Sequence, residues 1–233
     1  PAAAGVYLID GQSGLLSSMS IVPLAMLVNG LFLGVWIILP KYISNYKNPL
    51  IITTIVSILT WAFFAFIALN IASFSQASDI SSPMLGLVGL FCLALVAIFF
   101  NIKTRPSPKG DNKVPVLILS IRGVAAAIAI GTALVLAQIG QPLIAGLASA
   151  FPAIFLTSMV ALWISQGITV PQGAAAPMML GGASVAVYSL VVMWSIPSHG
   201  IVLGSTIAWF LSVGLWSVPA FLLLRKYRAL SID

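Results

Sequence analysis

The chain has 233 residues, of which 61% are hydrophobic and 6% charged, with a mean hydropathy of +1.15. A soluble domain carries about 25% charged residues, so a soluble globular class is excluded, and the length is better counted in bilayer crossings of about 20 apolar residues each. The net charge of +6 does not point to nucleic acid, because the basic residues gather at the ends of apolar runs rather than along one stripe.

Seven apolar segments follow one another along the chain. The first runs from about Leu15 to Leu39 and is closed by Pro40 and Lys41; residues 1–14 before it lack the basic start and apolar core of a signal peptide. The second spans Pro49 to Phe74 and the third Pro83 to Ile102, with Cys92 inside it, a lone cysteine that can close no internal disulfide. A polar stretch, KTRPSPKGDNK from Lys103 to Lys113, then interrupts the pattern. The fourth segment runs from Pro115 to Ile139, the fifth from Pro142 to Ile164, the sixth from about Gly173 to Ile196 and the seventh from Gly200 to Leu224. Backbone amides cannot stay unpaired in hydrocarbon, so stretches of this length must be helices. The expected fold is an all-α, polytopic transmembrane bundle of about seven helices. It divides into an aromatic-rich three-helix half (1–102), a polar cytoplasmic linker (103–114) and a four-helix half rich in small residues (115–233).

Charge predicts the orientation. With the N-terminus outside and the helices alternating, the inner segments hold Lys41 and Lys47, then Lys103, Arg105, Lys109 and Lys113, and finally Arg225, Lys226 and Arg228. The outer segments hold Asp10, Asp79 and His199 and no Lys or Arg. Basic residues resist translocation, so the C-terminus is expected in the cytoplasm.

Small residues recur every four positions in the second half. Gly123, Ala127 and Gly131 share a face of the fourth segment, Ala145, Ser149 and Ala153 of the fifth, and Gly200, Gly204 and Ala208 of the seventh. Such faces let helix backbones approach closely in lipid. They read either as packing within one bundle or as a homodimer seam of the GxxxG kind.

Arg122 is the one basic residue inside an apolar segment, and no acidic residue lies within a span. Intramembrane charges are costly and face a cavity, a partner or the interface. Seven residues separate Pro115 from Arg122, about 10 Å of helix at ~1.5 Å per residue, so the side chain can snorkel to the surface. Alternatively, its guanidinium holds a phosphate or carboxylate at the floor of a cavity. Prolines interrupt the later segments: Pro152 in AFPAIF, near mid-depth, Pro177 in AAPMMLGG and Pro219. Each removes a backbone hydrogen bond, and broken helices near the midplane recur in transporter substrate sites; a packing kink, or for Pro177 a place in the first turn, is the plainer reading. Asn29 sits deep beside Gly30 and calls for a hydrogen-bond partner on another helix, while Trp61 and Trp209 are deep enough to line a cavity or to pack the core.

Several chemistries find no residues here. One histidine, His199, makes no HExxH or His-rich metal site, no GxSxG elbow occurs, and no lysine inside a span offers a Schiff base. No enzyme, metal or cofactor is expected.

From Arg122 to Leu224 the chain resembles a four-helix module of the drug/metabolite transporter superfamily. The likeness rests on short loops, small-residue faces and the runs GQPLIAGLASAFPAIFLTS and PMMLGGASVAVYSL. Small multidrug transporters of that superfamily couple to protons through a membrane-embedded glutamate, and this chain contains no Glu. That departure speaks against proton-driven export and leaves facilitated or exchange transport open. The helix count with the N-terminus outside is also similar to SWEET-type sugar facilitators, although their proline-centred motifs are missing at matching places. The resulting expectation is a small-solute transporter, with an anionic metabolite as a candidate substrate. Arg122 would hold a negative group, the Pro152 kink would free backbone acceptors, and Ser149, Thr157 and Tyr188 would supply neutral hydrogen bonds. The alternative is a non-transporting scaffold or accessory subunit of a larger membrane complex. Expected partners are the lipid bilayer, a small-molecule substrate, and a second copy or a larger complex.

Overall fold

The structure, a computed structural model, describes residues 2–78, 81–104 and 116–230, without the side chains of residues 118, 119, 122, 126, 129 and 227–230. Among the described residues the chain is helical throughout its ordered elements, with no strand. The elements are α1 (Ala2–Ile38), α2 (Pro40–Ile43), α3 (Pro49–Ala77), α4 (Ser82–Lys103), α5 (Val116–Gln138), α6 (Pro142–Ser149), α7 (Ala153–Gln166), α8 (Thr169–His199), α9 (Ile201–Ser212), a π-helical turn (Val213–Ser217) and α10 (Val218–Leu230). They form seven passages: α1 with α2, then α3, α4, α5, α6 with α7, α8, and α9 through α10. Six of these are long and apolar enough to cross a membrane, by length and composition; in α5 the apolar stretch Gly123–Gln138 is shorter.

Helix starts follow local chemistry. Proline stands in the first turn of α2, α3, α4 and α6, where its missing N–H has no intrahelical partner to lose. Gly200 closes α8 with φ 78°, a left-handed conformation that glycine adopts without penalty, and the chain reverses there into α9.

Two elements differ from the sequence expectation. The first helix begins at Ala2 rather than near Leu15, with a joint at Gly11 (φ 64°, ψ −152°). The apolar run 2–9 is too short to span by itself before Asp10, Gly11 and Gln12 interrupt it, and packing orders it as part of α1: Val6 is buried with Ala137 and Ala145. A Cβ on Gly5 would likewise run into the Leu134 side chain. The sixth segment is not interrupted by its prolines, since α8 runs unbroken from Thr169 to His199 with Pro177 and Pro197 inside it. Pro219 follows the π turn, where the Val218 N–H bonds to Val213 O; this wider turn is a common way to accommodate a helix irregularity.

α1 is the axis of the bundle. Leu15, Ile21, Ala25, Phe32, Leu33 and Trp36 along it are fully buried, and α3, α4, α6 and α8 pack around it. Close approach uses backbone: a Cβ on Gly89 would stand 2.8 Å from Leu24 N, and one on Gly146 would overlap Ser18 O. Leu50, Phe100, Trp163 and Leu224 pack against the cluster around Trp36 and Ile37. The ends of the helices that carry Lys41, Lys47, Lys103, Arg225 and Lys226 therefore lie together at one end of the bundle. Outward, α3 and α4 present Phe63, Phe66, Phe74, Phe91 and Phe99, the surface a helix shows to hydrocarbon.

Candidate functional site: a helix break at mid-span

The fifth passage is two half-helices rather than one. α6 ends at Ser149 and α7 begins at Ala153. Between them the regular ladder gives way to tighter turns, Ala150 N to Leu147 O at 3.1 Å, Phe151 N to Ala148 O at 3.1 Å and Ala153 N to Phe151 O at 2.8 Å. Pro152 sits in the N-cap position of α7 and has no N–H to extend α6. Exposed in hydrocarbon, the carbonyls of such a break would be costly.

One of them has a partner from the bundle axis. The Asn29 side-chain amide donates to Ala150 O at 2.8 Å, and its own oxygen accepts the Trp61 indole N–H at 2.9 Å. Asn29 is 2% exposed, so both bonds lie in a low-dielectric setting where an unmade bond is expensive. One side chain thus ties α1, α3 and the α6–α7 break together. The Trp61 ring then meets Phe151 edge-on, with centroids 5.0 Å apart.

Beside this node is an open groove of about 350 Å³, lined by Trp61, Ala125, Ile128, Thr132, Ala148, Phe151 and Ala153. Its floor is the break, and α3 and α5 flank it. Each contributing residue comes from the middle of its passage, so the groove lies at mid-depth. The lining is apolar apart from the hydroxyl of Thr132, which donates within its own helix to Ile128 O at 2.9 Å.

The residues singled out from sequence fall around this place unevenly. Ser149 and Pro152 are at the break itself; Ser149 Oγ donates to Gly146 O at 2.7 Å. Thr157 lies further along α7 and donates to Ala153 O at 2.8 Å. Tyr188, on α8, packs against the core around α1. Arg122 lies on α5 one helical turn before Ala125, and its side chain is outside the described residues. Of the small-residue positions, Gly204 and Ala208 are buried against α8, whereas a Cβ on Gly123 or Gly131 would meet nothing within 4 Å and Ala127 is exposed. Gly200 is the α8–α9 corner.

Sequence reasoning left Phe151, Thr132 and Ala125 unnamed. The signal that could have found Phe151 was its position between the break and Pro152. Nothing in the sequence pairs Ala125 or Thr132 with α3. Asn101 and Trp216 repeat the Asn29 pattern elsewhere, donating across helices to Ala176 O and Leu180 O, both at 2.8 Å. Neutral donors on backbone carbonyls are thus the polar glue of this bundle. Among the described residues no three His, Cys, Asp or Glu side chains come together as a metal cage would require.

Fold and site together define the class, an integral, multi-pass membrane protein with a discontinuous helix. Beyond the class, the chain matches no protein family, no curated protein and no solved structure.

Proposed function

We propose that the protein carries a small amphipathic solute across its membrane, with the α6–α7 break as the site. The observation that supports this reading is the coincidence of a helix break and an adjoining groove at mid-span, the arrangement by which transporters place a site between two accesses. The apolar lining suits the apolar body of a solute rather than a hydrated anion. By register on α5, Arg122 precedes Ala125, Ile128 and Thr132 at helical spacing, so a single negative group is assigned to that turn. The ligand class is then an organic anion with an apolar tail or ring. The cytoplasmic C-terminus rests on the basic end of the bundle.

The test uses radiolabelled octanesulfonate, which stays charged and so does not cross a bilayer readily as a neutral acid. Proteoliposomes are expected to take it up faster than protein-free vesicles, and Arg122→Gln to abolish the difference. Equal uptake by the variant removes Arg122 from the mechanism, and no uptake by either removes transport. One observation favours a second reading, an accessory subunit: the interior along α1 is packed with Leu, Met, Phe and Trp side chains. A larger complex that survives mild-detergent purification, with no flux in any assay, would be its outcome.

A further inference from the structure

We propose that the α6–α7 break is a hinge and that Asn29 is the latch that holds it closed, a positioning residue for the groove; this rests on the transport reading only for its purpose. Both half-helices have a joint at each end. Gly140 (φ 73°) precedes α6, Gly167 (φ 84°) follows α7, and the Ala150–Pro152 turn lies between them. Each half is therefore a short rod bounded by residues that can absorb a change in backbone angles.

The two halves are held unequally. α6 meets α1 backbone to backbone at Gly146, where a Cβ would overlap the carbonyl oxygen of Ser18. Contacts that close leave no room for sliding. α7 is held by side chains instead: Phe155 reaches towards Gly182 and Met26, and Trp163 meets Trp36 edge-on with centroids 5.9 Å apart. Side-chain contacts can be exchanged by rotamer changes. The half that moves is α7, with α6 as its fixed mount.

Among the described residues, Asn29 makes the side-chain hydrogen bond from another helix to the turn, and Trp61, bonded to Asn29, adds a ring contact to it. Ala150 O is held at 2.8 Å on the α6 side of the turn, and Trp61, held at 2.9 Å, presses its ring against Phe151 within the turn. Trp61 and Phe151 are both walls of the groove, and Ala148 and Ala153 bring one wall from each half. Rotation of α7 about the turn therefore reshapes the groove and, through Phe151 against the Trp61 ring, bears on the Trp61–Asn29 hydrogen bond in the same motion. The groove on the open side supplies the volume into which Phe151 can swing.

The test measures distance by double electron–electron resonance in nanodiscs, on the full chain with Cys92→Ala. Spin labels at Tyr42→Cys and Ile164→Cys, positions 75% and 71% exposed, bridge α2 and the far end of α7. A control pair, Ile71→Cys with Ile144→Cys, bridges α3 and α6. The latched protein is expected to give one main distance for each pair. Asn29→Leu removes both bonds and is expected to raise the minor population of the α7 pair roughly ten-fold, with the control pair unmoved. Should Asn29→Leu fail to fold, Trp61→Phe carries the test, since it keeps the ring on Phe151 and deletes only the N–H; a smaller second population is expected. An unchanged α7 distance in the folded variant overturns the latch, and equal movement of the control pair overturns the assignment of α7 as the moving half. Uptake is not the readout. A hinge that opens in a protein carrying no octanesulfonate would sink transport alone, and unchanged distances with uptake intact would sink the latch alone.

Discussion

Gly204→Ala is the sharpest test of how this bundle is held together. A Cβ at position 204 would stand 2.5 Å from Ser195 O and 2.7 Å from both Ile196 Cα and Ile196 N. All three are backbone atoms of α8, so no side-chain rotation can relieve the contact. To reach an ordinary carbon–carbon separation of about 3.5 Å, α9 must withdraw by roughly 0.8 Å. The Ser195 Oγ to Gly204 O hydrogen bond, 2.9 Å in the native packing, would then open to about 3.7 Å, beyond hydrogen-bond range. Overpacking costs about 1–3 kcal/mol and the lost interhelical bond roughly 0.6 kcal/mol more. Alanine's helix propensity returns about 0.5–1 kcal/mol, leaving a net loss of roughly 0.6–3 kcal/mol. Cys92, a free thiol only partly accessible in the folded chain, supplies the assay: a thiol-reactive fluorophore reports its exposure on heating in detergent. Gly131→Ala is the control, because the new methyl there meets nothing within 4 Å. If Gly204→Ala melts at or above the temperature of the native protein, backbone contact does not hold α8 on α9 and the reasoning fails.

Three further outcomes follow from the same geometry. Thr132→Trp places a bulky ring in the groove and is expected to reduce octanesulfonate uptake at least ten-fold with little change in melting; undiminished uptake removes the groove from the path. Gly123→Ala is expected to leave melting unchanged or slightly raised, as its position is open; a fall with protein dilution restored by concentration would instead reveal a second copy packed on α5. In right-side-out vesicles of the Cys92→Ala protein, an impermeant maleimide is expected to label His199→Cys directly and Lys226→Cys only after permeabilisation. The reverse pattern overturns the orientation read from charge.

The helical class and the number of passages were legible in the chain because they depend on a local quantity, the length of apolar runs against the thickness of hydrocarbon. Pro152 marked the place of the break for an equally local reason, its missing N–H. Asn29 announced a need for a partner by being amide in oil. What stayed hidden was the identity of that partner, since Ala150 O, 121 residues away in sequence, has no side-chain signature at all. The same holds for α5: Gly123, Ala127 and Gly131 carry the same spacing as Gly200, Gly204 and Ala208, yet one set is open and the other buries Gly204 against α8. Spacing says that a helix can be approached closely, and only the arrangement of its neighbours says whether anything does so. Residues 2–10 make the point in reverse, an apolar run too short before Asp10 to read as a span by itself and still ordered by Val6 against α5 and α6. Sequence alone determined that this protein lives in lipid as a set of helices, because hydrophobicity and backbone satisfaction act residue by residue. Tertiary structure decided which helix is the axis, where the groove opens and what holds the break, because those are contacts between residues that the chain itself keeps far apart.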